Sequence, residues 1–287
     1  MEDLDYIGKV NSKHGVFTYC HYDQYIGTAL REYGEFCEIE LSLMQKFINL
    51  DDFVFDIGAN IGCFSIPFSK KVGPKGRVLS FEPQKFICKL LRKNAKDNHL
   101  KNIKIFNQAV GRKNTFTELN KFDYSRLGNF GGIGLKEDYD NSKCAHIIEG
   151  KKEKVQVINL DKFLEIEKCN FIKMDVELME MEVLKGGKKF LSKFRPILWI
   201  ENHYDPKKPN TINQYLLEND YVPYWTVANL FNADNYFVND ENHYKKIATI
   251  NTLAIPLEKK MFYKLDPLDE ITSPFTKPVL CLRAPIK

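Results

Sequence analysis

Short apolar runs alternate with amphipathic segments through the middle of the chain. Apolar runs between turn residues predict strands, and apolar residues that recur every three or four positions predict helices. The predicted strands cover residues 53–57, 77–81, 103–110, 155–160, 171–176 and 196–201, and the predicted helices cover residues 64–71, 85–98 and 179–192. This alternation is typical of βαβ units, in which helices cover both faces of a parallel sheet.

The segments on either side of this region are less regular. Residues 1–50 contain extended segments and one predicted helix at 38–48, and residues 111–150 are predicted to form short strands and a loop. Two late extended segments, 221–227 and 247–255, are expected to complete the sheet, the second in antiparallel orientation. We therefore predict an α/β fold with one doubly wound, mostly parallel sheet. Its parts are an N-terminal cap segment (1–50), a main domain (51–256) and an extended C-terminal arm (257–287).

The composition is that of a globular protein, with 44% hydrophobic and 28% charged residues. The 42 basic residues exceed the 38 acidic ones by four without forming a basic block, so binding to nucleic acid is not expected. The seven cysteines form no C-x-x-C pair, no apolar run reaches the ~20 residues of a membrane span, and the start of the chain is acidic, unlike a signal peptide. We expect a cytoplasmic protein with free thiols and without a membrane span; no metal ligands are assigned, and the need for a divalent metal stays open. Homo-oligomerisation stays open.

The strongest chemical signal is the run from Asp56 to Gly62, which lies between a predicted strand and a predicted helix. Glycine at Gly58 permits a tight turn and lets a ligand approach the backbone closely. The N-terminus of the following helix supplies free N–H groups that suit a carboxylate. Glu82 ends the next strand, where an acidic side chain accepts hydrogen bonds from the hydroxyls of a ribose.

Spacing separates the two cofactors that use this arrangement. A dinucleotide fingerprint needs glycine at the positions of Asn60 and Cys63, where the pyrophosphate meets the backbone. Both positions carry side chains here. The shorter amino-acid tail of S-adenosylmethionine fits a G-x-x-x-G turn better, so we predict S-adenosylmethionine as the cofactor.

Further motifs extend over most of the chain. In chain order they are Tyr25-Ile26-Gly27, Tyr33-Gly34-Glu35-Phe36, the Asp56 to Gly62 run, Phe81-Glu82-Pro83-Gln84, Gln108-Ala109-Val110-Gly111, Asn129-Phe130-Gly131-Gly132, Lys173-Met174-Asp175-Val176-Glu177, Val183-Leu184-Lys185-Gly186, Glu201-Asn202, Leu230-Phe231-Asn232 and Asn251. Together they resemble the FkbM-like methyltransferases. Leu178 and His203 depart from that family's pattern, which has glycine and often an acidic residue at these positions.

The resemblance implies the seven-stranded, Rossmann-like fold of class I methyltransferases. It also implies O-methylation of a sugar, a glycan or a hydroxylated natural product, with a small-molecule or glycan acceptor as partner. The residues that the motifs and the resemblance assign to cofactor binding are Tyr33, Glu35, Asp56, Gly58, Asn60, Gly62, Ser65, Glu82, Gln108, Ala109 and Asp175.

The candidate catalytic residues follow two neighbouring strands. Asp175 and Glu177 follow one, and Glu201 and His203 follow the next. Ligands of open α/β sheets lie beyond the carboxyl ends of the strands, so these four side chains are expected to meet in one crevice. Alternation along an extended chain would pair Glu201 with His203. We predict that His203 takes the proton of the acceptor hydroxyl, that Glu201 orients it and that Asp175 positions donor or acceptor, with Asp175 or Glu177 as the next candidate for the base.

Substrate contacts are predicted for a few polar and aromatic residues. Asn129, Asn232 and Asn251 are candidates for binding hydroxyl groups, although asparagine in loops more often stabilises turns. Trp225, next to Tyr224, is a candidate for stacking on a sugar ring, although aromatic residues on a strand are more often core.

Two other function classes stay open. RNA ribose 2′-O-methylation is one, because Asp175, Glu201 and a nearby lysine resemble a Lys-Asp-Lys-Glu set, although no basic stripe is evident. Base methylation is disfavoured, because the segment before Leu178 lacks the proline and aromatic of an N-P-P-Y motif. A non-catalytic cofactor-binding module in a complex is the other alternative, since Leu178 departs from the family pattern.

Overall fold

A seven-stranded sheet forms the centre of the computed structural model, which describes residues 4–278. The strands in chain order are β1 (Ile7–Ser12), β2 (Gly15–Cys20), β3 (Phe53–Ile57), β4 (Arg77–Phe81), β5 (Ile103–Phe106), β6 (Ala109–Val110), β7 (Thr115–Phe122), β8 (Ile147–Ile158), β9 (Phe171–Met174), β10 (Ile197–Glu201), β11 (Tyr221–Asn229) and β12 (Ala248–Pro256). The helices are α1 (Ile26–Glu32), α2 (Glu38–Met44), α3 (Ser65–Val72), α4 (Lys85–Asp97), α5 (Glu180–Gly186), α6 (Lys188–Phe194) and α7 (Thr211–Glu218).

The order of the large sheet is β11-β12-β10-β9-β3-β4-β5. Neighbours from β10 to β5 are parallel, and β12 is antiparallel to both β10 and β11. The chain runs outward from β3 to β5 and then crosses to β9 on the other side of β3. This reversal makes the sheet doubly wound and leaves a crevice at the carboxyl ends of β3 and β9.

Both faces of the sheet are covered, which explains why its strands are continuously apolar rather than alternating. Val54 of β3 packs with α2 and α3 in one core, and its neighbour Phe55 packs with α5 and α6 in another. Successive side chains of a strand point to opposite faces, so the two cores lie on opposite sides. The predicted α/β fold with a mostly parallel sheet is confirmed.

Several element predictions need correction. The predicted strand 103–110 is divided, because β5 joins the large sheet while β6 pairs with β8 in a separate three-stranded sheet. The predicted strand 155–160 is the end of the longer β8, which pairs with β7 rather than joining the large sheet. The predicted helix 179–192 is two helices, and α1 and α7 had no counterpart in the prediction.

The C-terminal segment lies along β11 but is not fully extended. Leu257–Phe262 forms a 3-10 helix, after which the Ile271 N–H donates to the Pro223 carbonyl oxygen. Residues 279–287 of the predicted arm, with Cys281, lie outside the described residues. Within residues 4–278 the six cysteines are free thiols, and no helix there combines the length and apolarity needed to cross a bilayer.

Candidate active site

A cavity of about 470 Å³ opens at the carboxyl ends of β3, β4, β9 and β10. Its walls come from the loops after these strands, from α1 and α2 of the N-terminal region, and from β12. This is the crevice at which the strand order reverses, where open α/β sheets bind their ligands.

The turn after β3 is fixed by backbone contacts. The N–H groups of Gly58 and Ala59 both donate to the carbonyl oxygen of Phe81, at 3.0 and 2.9 Å. Gly58 has a φ of +83°, and a Cβ atom there would lie 1.7 Å from the carbonyl oxygen of Asp175. Only glycine fits, because the turn is held between the ends of β4 and β9.

Glu82 lies at the end of β4 and is only 3% exposed. Its Oε2 accepts a hydrogen bond from the Asn60 N–H at 3.0 Å, and its Oε1 accepts one from the Gln84 N–H at 2.8 Å. Burial raises the pKa of the Glu82 carboxyl to about 7. Each carboxylate oxygen accepts two hydrogen bonds, so a second position on each stays available to hydroxyl groups in the cavity.

The predicted cofactor-binding residues divide into two groups. Those that line the cavity are Gly58, Asn60, Glu82, Gln108, Ala109 and Asp175. Those that do not line it are Tyr33, Glu35, Asp56, Gly62 and Ser65.

Asp56 and Ser65 lie beneath the cavity and join β3 to α3. The Ser65 hydroxyl donates to Asp56 Oδ2 at 2.5 Å, and both residues are fully buried. Tyr33 and Glu35 instead bind a late segment of the chain. The Tyr33 hydroxyl donates to the Glu241 carbonyl oxygen at 2.9 Å, and Glu35 Oε1 accepts from Asn232 Nδ2 at 2.7 Å.

Three carboxylates meet at the cavity wall. Asp175, Glu177 and Glu201 each present an oxygen, and these oxygens lie within 4.8 Å of one another. The Tyr139 hydroxyl donates to Glu177 at 3.1 Å. Burial, with the neighbouring Asp175 carboxylate, raises the pKa of Glu177 to about 7 and raises that of Glu201 well above its usual range. The expected convergence of these three side chains is present in the structure.

Lys173 is the cation of this site, and sequence reasoning included it only as a nearby lysine. Its Nζ donates to the Gly58 carbonyl oxygen at 3.0 Å and to Asp175 Oδ2 at 3.1 Å, and lies 3.8 Å from Asp56 Oδ1. Burial alone would lower the pKa of Lys173, but the Asp175 and Asp56 carboxylates raise it above its usual value. Lys173 therefore links the Gly58 turn to the carboxylates of Asp56 and Asp175, which belong to two neighbouring strands and their ends.

Glu40 is a second residue that sequence reasoning missed. It lies on α2, lines the cavity and is buried, with its carboxylate accepting from Trp199 Nε1 at 2.9 Å and from the Thr249 hydroxyl at 2.8 Å. Only the folded chain brings these residues together, because the partners lie on β10 and β12. A carboxyl on an amphipathic helix gives no local signal.

The expected pairing of Glu201 with His203 is not formed. His203 lines the cavity but is exposed, and no hydrogen bond or ion pair joins it to Glu201 in the described part of the chain. The strand β10 ends at Glu201, so the alternation of an extended chain does not continue to residue 203.

The predicted substrate contacts are only partly at the cavity. Asn129 and Asn251 line it, and Asn129 Oδ1 accepts from the Gly132 N–H at 3.0 Å. Trp225 does not line it, because the indole is buried and its Nε1 donates to the Thr276 carbonyl oxygen at 2.9 Å. Asn232 is likewise away from the cavity and bound to Glu35. Tyr224 donates to Glu270.

Leu178, the departure from the family glycine, has a φ of +69° and is 43% exposed. This left-handed conformation costs a residue with a Cβ roughly 1–2 kcal/mol. Glycine avoids that cost but loses more backbone entropy on folding, so the net gain from a glycine here is smaller. We expect Leu178→Gly to stabilise the fold by about 0.5–1 kcal/mol in urea denaturation. Leu127→Gly is the control, because Leu127 is also exposed and has no positive φ, and it should destabilise. Equal shifts in both variants would contradict strain at Leu178.

Fold and site together define a Rossmann-like protein with a ligand cavity at the point where its strand order reverses. A sequence model of the "Methyltransferase FkbM domain" matches residues 56–223. The chain therefore belongs to the FkbM methyltransferase family, with a class I methyltransferase fold and S-adenosylmethionine as its cofactor.

Three proteins that are named as methyltransferases are similar to this chain at low sequence identity. "Methyltransferase 1" of Beauveria bassiana (strain ARSEF 2860) is 27% identical over an alignment of 147 positions, which covers 47% of this chain and 58% of that protein. The methyltransferase FkbM from Methylobacillus flagellatus KT is 18% identical with a TM-score of 0.43, covering 71% of this chain and 44% of that one. A SAM-dependent methyltransferase from Aquifex aeolicus is 14% identical with a TM-score of 0.40, covering 79% and 93%. The chain thus spans about half the length of the first two proteins.

The cavity suits this methyl donor. Glu82 keeps free acceptor positions for ribose hydroxyls, and the Gly58 turn lets the donor approach the backbone. The donor carries a sulfonium and an ammonium charge, and the adjacent wall holds three carboxylates against the single buried cation Lys173. Opposite charge favours binding of a cation at this wall.

Proposed function

We propose that the protein transfers the methyl group to a hydroxyl oxygen of a sugar, a glycan or a hydroxylated natural product. The observation that carries this proposal is the group of three carboxylates, Asp175, Glu177 and Glu201, at the wall next to the cofactor turn. An alcohol is a weak nucleophile until its proton is removed or shared. Carboxyls with pKa values raised towards neutrality are suited to that task, and Glu177 has a pKa of about 7.

The contacts of Glu82 and Lys173 indicate a separate role for each. Glu82 binds the ribose hydroxyls, and Lys173 fixes the Asp175 carboxylate and the Gly58 carbonyl relative to each other. Bound S-adenosylmethionine supplies an electrophilic methyl group. The protein's main contribution is to hold the acceptor oxygen in line with that group, which replaces a bimolecular encounter with a positioned one.

The rest of the wall supports an acceptor with several hydroxyl groups. Asn129, Asn251 and Glu40 all line the cavity. Amides donate and accept, and carboxylates accept, so together they satisfy hydroxyl groups that do both.

RNA ribose 2′-O-methylation is the second candidate, because α4 carries a row of basic residues. Lys85, Lys89, Arg92 and Lys96 are exposed, and their spacing puts them on one face of the helix. No ion pair neutralises them within residues 4–278. A row of this kind can bind a phosphate backbone.

The test is methyl transfer from labelled S-adenosylmethionine by the purified protein. The acceptors are free sugars, nucleoside diphosphate sugars, phenolic compounds and short single-stranded RNA, and mass spectrometry locates the added methyl group. A methyl ether on a sugar or a phenolic compound is expected. Methylation of RNA ribose alone would favour the second candidate, and methylation at nitrogen would contradict both. Donor binding without transfer to any acceptor would favour a non-catalytic module.

A further inference from the structure

Two buried polar atoms in the cavity wall lack a hydrogen-bond partner among residues 4–278. They are Oε2 of Glu201 and Nδ2 of Asn251. Asn251 is only 4% exposed, and both residues line the cavity. One atom is an acceptor and the other is a donor, and they belong to residues that lie directly opposite each other in the antiparallel pair of β10 and β12.

The position of the two residues explains why one ligand group can satisfy both atoms. Side chains directly opposite on neighbouring antiparallel strands have Cβ atoms about 4.5–5.5 Å apart and project from the same face of the sheet. Glu201 and Asn251 nevertheless do not bond to each other. A buried donor or acceptor without a partner carries its full desolvation penalty, so both atoms gain from a group placed between them. A hydroxyl is such a group, because its oxygen accepts from an N–H while its O–H donates to a carboxylate.

We propose that Glu201 and Asn251 form the subsite for the acceptor hydroxyl, with Asn251 Nδ2 donating to the hydroxyl oxygen and Glu201 Oε2 receiving its proton. This inference rests on the proposed O-methylation. As the oxygen bonds to the methyl carbon, the carbon–sulfur bond breaks and its electron pair stays on sulfur. The hydroxyl proton moves to Glu201, so charge and atoms balance.

The other side chains near the subsite that could accept a proton either have a hydrogen-bond partner already or are exposed. Asp175 is bound to Lys173, and Glu177 accepts from the Tyr139 hydroxyl. His203 is exposed at the rim of the cavity. Glu201 therefore presents the free, buried acceptor among these residues. The charged groups that surround it are Asp175, Glu177, Glu180 and Lys173.

The first experiment needs no knowledge of the natural acceptor. A crystal structure of the complex with S-adenosylhomocysteine, soaked in glycerol, should contain a water or glycerol hydroxyl within hydrogen-bonding distance of both Glu201 Oε2 and Asn251 Nδ2. A direct bond between the two side chains, with no hydroxyl between them, would overturn the proposal. A Mn²⁺ soak that places the cation on Asp175, Glu177 and Glu201 would also overturn it, because Glu201 would then be a metal ligand.

The second experiment uses the best alcohol from the acceptor panel. Glu201→Gln should lower kcat by about 10²–10⁴-fold and remove the acidic limb of the pH profile, with donor affinity unchanged. Asn251→Leu should raise the KM of the alcohol by on the order of tenfold. Glu167→Gln, an exposed substitution of the same type, should retain most of the turnover.

The two proposals fail in different ways. A wild-type protein that methylates none of the alcohols would overturn the proposed function, and the crystal structure would still decide the subsite. A wild-type protein that methylates an alcohol, together with a Glu201→Gln variant that keeps its kcat and acidic limb, would overturn the subsite alone. Loss of turnover in His203→Ala but not in Glu201→Gln would assign the proton to His203.

Discussion

Replacement of Lys173 by methionine should destabilise the fold by about 3–5 kcal/mol, the range for removing one partner of a buried ion pair. Methionine keeps most of the side-chain volume but removes the charge. Asp56 is fully buried, and among the described residues its Oδ1 has only the Lys173 ammonium, 3.8 Å away, for compensation. Asp175 contributes less, because its side chain is 39% exposed and water screens its charge.

The destabilisation should depend on pH in a defined direction. Burial already raises the pKa of Asp56, and loss of the ammonium raises it further. A carboxyl whose folded pKa exceeds its unfolded pKa stabilises the fold below the unfolded value and loses that contribution as pH rises through the folded value. Urea denaturation at pH ~5 and ~8 should therefore show the larger deficit at the higher pH.

Lys189→Met is the matched control for this experiment. Lys189 is exposed on α6, so its substitution should change stability little. If Lys173→Met were as stable as the control at both pH values, the buried ion pair would not contribute as argued. Donor affinity should also fall in Lys173→Met, because its ammonium holds the Gly58 carbonyl oxygen.

The second large effect is expected on donor binding when Glu82 is replaced. Glu82→Ala should weaken S-adenosylhomocysteine binding by ~1.5–3 kcal/mol, on the order of 10–150-fold, because hydrogen bonds to a charged group are lost. Alanine also leaves the N–H groups of Asn60 and Gln84 without their acceptor, so this variant should lose stability as well. Glu82→Gln keeps an amide oxygen as acceptor and separates the two effects.

Calorimetry over a pH series makes this prediction specific to the carboxyl. The pKa of Glu82 is about 7, so the wild-type protein should bind the ligand less tightly as pH falls below that value and the carboxyl takes up a proton. Glu82→Gln should lose this dependence, while Glu165→Gln, at an exposed position, should keep it. Unchanged affinity in both Glu82 variants would remove Glu82 from the cofactor site.

Local pattern was sufficient for the strands that surround the cavity. The apolar runs of β3, β4, β9 and β10 were predicted within a few residues, because a strand buried on both faces is continuously apolar. The Gly58 turn and Glu82 were predicted for a similar reason. The steric needs of a tight turn favour glycine at position 58, and the end of β4 places Glu82. Both signals lie within one βαβ unit, so they can be recognised from local sequence.

The sequence by itself thus determined the α/β class, the methyltransferase family and the glycine turn at Gly58. Only the tertiary structure decided which polar residues face the cavity. Asn232 and Trp225 are bound to Glu35 and to the Thr276 carbonyl oxygen, partners that lie far from them along the chain. Glu201 meets Asn251 through the pairing of β10 with β12. The hydrophobic period of a helix or strand can be recognised from neighbouring residues. A hydrogen-bond partner distant in sequence depends instead on the packing of the whole chain.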